Sequence, residues 1–105
     1  MKFTIFPLFI LLAAPVHALP DTARQGELLH LLRHDCGACH GMTLRGGLGP
    51  ALTVERMAAL PAETLRFTIM EGRRGTAMPP WRGLLTEDEV AWLVDQLRAG
   101  VNDGR

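Results

Sequence analysis

Cys36 and Cys39 are the only cysteines of the chain, two residues lie between them, and His40 follows the second directly. Residues three apart on a helix lie about one turn from each other. The two thiols of Cys36-Gly37-Ala38-Cys39-His40 therefore point to one side, with the imidazole turned just beyond them. Whatever fold the chain adopts must present this single turn to the group that the three side chains hold.

The amino terminus bears on the choice. It reads MKFTIFPLFILLAAPVHALP, with one positive residue, Lys2, an apolar run from Phe3 to Ala14, then Pro15 and a small-residue exit with Val16 and Ala18 at the positions a signal peptidase reads. The run is about half the roughly 20 residues that a spanning helix needs, so the pattern predicts a cleaved secretory signal over residues 1–18 and no stable membrane anchor. Cleavage after Ala18 leaves 87 of the 105 residues, one small domain over 19–105, in the periplasm. Lys2 is the sole lysine, so the processed chain sets ten arginines against eleven acids. A near-neutral balance of this kind excludes the strongly basic face of a nucleic-acid binder. A domain this short usually needs more than its own apolar core to fold, such as a disulfide, a metal or another cofactor.

The helical signals are consistent along the chain. From Asp21 to Asp35 there is no proline, and Leu28 and Leu32 stack one turn apart on the way to Cys36, which predicts an amphipathic helix delivering the cysteines. GMTLRGGLGPAL after His40 is a loop by its glycines and proline. Thr53 caps a predicted short helix through Leu60, and PAETLRFTIMEG predicts another, with proline at its start and glycine at its end. GRRGTAMPPWRG is a second loop, stiffened by Pro79 and Pro80. In TEDEVAWLVDQLRAGV, Thr86 and Glu89 form a capping box, Val90, Leu93, Val94 and Leu97 form an apolar face, and Gly100 with Val101 fits a left-handed cap. No stretch alternates like a strand. The expected fold class is all-α.

Cys-x-x-Cys-His is the attachment signature of c-type haem, with two thioether links and one axial bond. The competing chemistries each lack a part. A structural zinc site wants four ligands, normally with a remote second pair, whereas His30 and His34 lie just before the motif. A thioredoxin-like pair wants a preceding strand. A disulfide across so small a loop adds little through loop entropy. For the sixth iron ligand, Met42 and His34 are too near the anchor, Met57 and Met70 fall at apolar helix positions where methionine fills core, and His30 sits at a helix edge. Met78 lies in the proline-stiffened loop and is the expected distal ligand. His/Met ligation raises the haem potential.

CGACHG after a helix, GLGPAL from Gly47, GTAMPPW from Gly75 and a last helix opened by TEDE together resemble the class I cytochrome c family over nearly all of the mature chain. The resemblance implies one covalently bound haem c wrapped by helices, and a carbonyl of Pro50 that orients His40; Pro50 is otherwise a turn proline. The run HDCGACHGMTLRGGLGPAL with GRRGTAMPPW resembles more narrowly the small monohaem cytochromes of the NirC type, encoded beside cytochrome cd nitrite reductase in denitrifying bacteria. That resemblance implies a monomeric electron carrier rather than an enzyme, with redox protein partners: the nitrite reductase or, alternatively, proteins that mature its haem d. A haem-based ligand sensor would need an open sixth position. Arg45, Arg73, Arg74 and Arg82 lie in or beside the two loops, either as a basic rim that steers an acidic redox partner or as solvated charges, some pairing with haem propionates.

Two departures from the family pattern stand out. Leu28 occupies the place, eight residues before Cys36, where many bacterial members have glycine, and Gln96 stands where an aromatic is common, the last helix carrying Trp92 instead. The crossing of the terminal helices is expected to be repacked.

Overall fold

The computed structural model describes residues 1–12 and 17–101. Val16 and the end of the apolar run lie outside the described residues. Residues 1–12 form no helix or strand and stay exposed, and no described helix is long and apolar enough to cross a membrane.

All regular structure among the described residues is helical. Helix α1 (Thr22–Leu31) starts at Asp21, whose carboxylate accepts the Arg24 N–H at 2.8 Å. It runs without a break into a π-helical stretch, Leu32–Cys36, and then into α2 (Gly37–His40). The expected helix is thus present and continues five residues past Asp35, so that Cys36, Cys39 and His40 all sit on its last turns. In the π stretch the Gly37 N–H reaches back to the Leu32 carbonyl, five residues away, which widens the turn that bears Cys36.

Helix α3 (Val54–Ala58) is capped by the Thr53 hydroxyl, as its sequence predicts, but ends before Leu60. Leu60 precedes Pro61, and the proline ring disfavours helical backbone at the residue before it. Pro61, at φ −59° and ψ 140°, caps α4 (Ala62–Glu71), which closes at Gly72. Helix α5 (Glu87–Ala99) carries the full capping box: the Glu89 N–H donates to Thr86 Oγ1 at 3.1 Å and the Thr86 N–H donates to Glu89 Oε1 at 3.0 Å. Its far end is the left-handed Gly100.

Helix α5 packs against α4, α3 and α1. Because it has neighbours on several sides, its buried face is wider than the four-residue stripe of the sequence: Ala91 and Trp92 are buried along with Val90, Leu93, Val94 and Leu97. Leu28, Leu32, Leu44, Met57, Leu65, Met70 and Leu85 complete one core cluster.

Leu28 is wholly buried in that cluster together with Trp92, and Gln96 is half-buried. In place of a glycine-lined crossing, α1 and α5 share a leucine and an ion pair, since the Arg24 guanidinium also bonds to Glu89. Arg24, and next the Thr86 N–H, hold the Glu89 carboxyl below the usual glutamate range. A depressed carboxyl contributes stability above its unfolded pKa and loses it as pH falls through the folded one. Glu89→Gln, which can still cap Thr86, is expected to flatten the acid limb of the stability-against-pH curve while leaving the helix content unchanged; urea titrations at stepped pH with circular dichroism check this.

Candidate haem-binding site

The last turns of the first helix bring Cys36, Cys39 and His40 onto one short segment. Both cysteines are free thiols and half-buried. Burial, and next the negative charge of Asp35, push the Cys36 thiol up to about 11. It is therefore a neutral thiol near pH 7 rather than the activated thiolate that a redox pair requires. Among the described residues no group of three or more His, Cys, Asp or Glu gathers around a point where a bare metal ion would sit.

The glycine-rich loop folds straight back over the end of this helix. The Gly49 N–H donates to the Cys39 carbonyl at 2.7 Å, the Gly46 N–H to the His40 carbonyl at 2.8 Å, and the Leu44 N–H to the Gly41 carbonyl at 2.8 Å. Carbonyls that a helix end leaves without partners are thereby satisfied. Leu44 adopts a left-handed φ of 58° with only 2 % of its surface exposed. That conformation costs a non-glycine residue about 1–2 kcal/mol, and burial of the leucyl side chain in the core offsets it. Nothing in the sequence marks Leu44 for this role, because leucine is an ordinary helix or core residue.

The same fold-back sets the imidazole. His40 Nδ1 lies 2.7 Å from the carbonyl oxygen of Pro50. A carbonyl only accepts, so Nδ1 carries the proton and Nε2 is left with its lone pair. Gly49 lies against the ring: a Cβ there would fall 2.9 Å from both Cε1 and Nδ1 of His40. The site therefore offers two reduced thiols one turn apart and one histidine nitrogen of fixed tautomer. This donor set fits a haem held by two thioethers and an axial imidazole.

The remaining methionines and histidines separate clearly. Met57 and Met70 belong to the core, at 3 % and 6 % exposure, while Met42 is 60 % exposed. His30 and His34 are exposed on the first helix with their ring centroids 4.2 Å apart. Met78 is half-buried in the loop between α4 and α5. The arginines divide as well. Arg82 is engaged at the base of that loop, donating from Nε to Glu71 Oε1 at 2.9 Å and lying 3.8 Å from Glu87. Arg45, Arg73 and Arg74 have exposed side chains. The four arginines are thus not one uniform rim.

Residues 21–96 match the family described as cytochrome c oxidase, cbb3-type, subunit III. The solved structure of the c-type cytochrome NirC superposes with a TM-score of 0.74 at 55 % sequence identity, over 76 % of this chain and 94 % of that one. The chain belongs to the NirC-type c cytochromes. Cytochrome c55X of Pseudomonas aeruginosa is 57 % identical over 81 residues, which are 77 % of this chain and 68 % of the relative. The structure of dihydro-heme d1 dehydrogenase NirN in complex with DHE matches at 36 % identity and a TM-score of 0.60, over 66 % of this cytochrome but only 15 % of that much larger chain. Membership of the cytochrome c family implies a covalently bound haem c, and the helical architecture is that of the class I fold.

Gly49→Ala tests the seat of the imidazole. An added methyl in so tight a place typically costs about 1–3 kcal/mol. The variant is expected to lower the denaturation midpoint of the haem-loaded cytochrome and shift its reduction potential, both read on one purified sample.

Proposed function

We propose that this cytochrome is an exported, one-haem electron carrier of denitrification, with its haem on Cys36 and Cys39 through thioethers and on His40 and Met78 through iron. The observation that carries the reading is the 2.7 Å bond from His40 Nδ1 to the Pro50 carbonyl. It leaves Nε2 as the one imidazole nitrogen free to ligate, and it adds electron density to that ligand. When bound, the haem supplies a one-electron iron(III)/iron(II) couple.

The chain's own residues favour carriage over catalysis. Two protein ligands leave no open position for a substrate. Met78 favours the reduced state. Residues 1–18 are proposed as the export signal that delivers the chain to the periplasm, where residues 19–105 act as a monomer. All the buried core side chains described fall between Leu28 and Leu97, in keeping with that division.

The partner class follows from the relatives. NirC-type cytochromes point to cytochrome cd nitrite reductase as acceptor. Similarity to a dihydro-haem d1 dehydrogenase favours a second role, in maturation of haem d: a dehydrogenase reaction releases electrons, and a small cytochrome is a suitable acceptor for them. The two roles separate by deletion of the gene. Loss of the carrier role slows reduction of a fully assembled nitrite reductase, whereas loss of the maturation role leaves the reductase without active haem d.

A pyridine haemochrome spectrum of periplasmic protein is expected to show one haem c per chain. Met78→Ala is expected to lose the far-red sulfur-to-iron(III) band, to lower the potential and to admit carbon monoxide to the ferrous form; a variant with the parent's spectrum and potential would falsify the distal assignment.

Arg45, Arg73 and Arg74 are proposed as a positive patch toward an acidic redox partner, with Arg82 diverted to Glu71. Exposed charges act over a Debye length of about 8 Å at physiological salt. Electron-transfer rates to the candidate reductase are therefore expected to fall with ionic strength, and replacing all three with glutamine should flatten the profile. A rate indifferent to salt in the parent protein would remove the steering role.

A further inference from the structure

The loop that carries Met78 is fastened more firmly than its exposure suggests. At its base the Trp81 N–H donates to the Ile69 carbonyl at 3.0 Å and the Arg82 N–H donates to the Met70 carbonyl at 3.2 Å, so the chain returns onto the last turn of α4. Higher up, the Arg73 N–H donates to the Met78 carbonyl at 3.2 Å. The Thr76 hydroxyl donates to the Arg73 carbonyl at 2.6 Å and accepts the Met78 N–H at 3.3 Å. A single side chain thus ties the two limbs of the loop together immediately beside the methionine.

Gly72 forms the seat beneath. It has φ 67° and ψ −170°, a region open in practice to glycine alone. A Cβ at this position would lie 2.7 Å from the Met78 carbonyl oxygen, 2.7 Å from Pro79 C and 2.7 Å from Pro80 N. All three are backbone atoms, and two belong to prolines, so no rotamer change relieves the overlap. The loop presses on the end of α4 because residue 72 has no side chain. Gly83, by contrast, meets nothing within 4 Å when a Cβ is added, and its φ is not positive.

We infer that Gly72 and Thr76 are positioning residues for Met78, setting how firmly its sulfur is held on the iron and so how readily an outside ligand displaces it. This rests on Met78 being the distal ligand. A ligand that competes for the sixth position binds in proportion to the fraction of molecules in which the loop has released it. Whatever destabilises the closed loop raises that fraction.

The test uses the ferric haem-loaded protein, with imidazole as the competing ligand, and follows its apparent affinity, the far-red sulfur-to-iron band and the reduction potential. Gly72→Ala is expected to bind imidazole about tenfold or more tightly, from backbone strain alone, with a weakened band and a lower potential. Thr76→Val, which loses both bonds of the hydroxyl, should do so at least about fivefold, the scale of one lost hydrogen bond being the lower bound. Thr76→Ser, which keeps the hydroxyl, should return to the parent's values, and Gly83→Ala should never leave them. If Gly72→Ala does not accumulate, the Thr76 pair decides: a valine variant indistinguishable from the parent overturns the inference, and a shift reversed by serine upholds it. Met78→Ala, run alongside, separates the two levels. Loss of the band in Met78→Ala together with parental behaviour in Gly72→Ala and Thr76→Val overturns the positioning role alone. Persistence of the band in Met78→Ala overturns the distal assignment and the inference with it.

Discussion

The hydrogen bond from His40 Nδ1 to the Pro50 carbonyl is the contact around which the site is organised. It spans ten residues, so it forms only when the intervening loop has closed on the helix end that bears the cysteines. Closure brings three further backbone bonds, from Gly49, Gly46 and Leu44 to carbonyls of Cys39, His40 and Gly41. One folding event therefore satisfies the helix terminus, selects the histidine tautomer and buries Leu44 in the core. Attachment chemistry and core packing depend on the same loop.

The second loop repeats the arrangement from the other side of the molecule's sequence. It too starts at a helix end, returns to that helix through backbone bonds from Trp81 and Arg82, and approaches a glycine so closely that no side chain fits. In both cases a rigid helix gives a loop its position, and a glycine permits the contact. Between them α5, buried along most of its circumference, holds α3, α4 and α1 together. A domain this small has a correspondingly small core, and both loops are fastened to helix ends by backbone bonds.

Much of this was legible from residues alone, and the reason differs from element to element. Thr53 and Thr86 mark helix starts because a side-chain oxygen satisfies backbone N–H groups locally, within three residues, and Asp21 does the same for α1 in the structure. Gly72 and Gly100 mark helix ends because only glycine takes the required backbone angles at low cost. Other features had no local signal. The π-helical turn before Cys36 has no distinguishing side-chain pattern. The left-handed Leu44 contradicts residue preference and is held by burial. The shorter reach of α3, against an expected helix through Leu60, reflects Pro61 acting on Leu60. Arg82 reads as one of four equivalent loop charges until Glu71 is found beside it.

By itself the sequence determined the spacing of two thiols and a histidine on one turn, the all-helical class and the caps at Thr53 and Thr86, since each is a matter of residue type at short spacing. Tertiary structure decided what spans distance: which nitrogen of His40 is left free, which arginines remain available, and why residue 72 must be glycine. Those depend on groups ten, eleven and six residues apart, brought together only when the loops close on the helices, and no periodicity encodes such an approach. The cysteines named the site, and the carbonyl of Pro50 gave it its orientation.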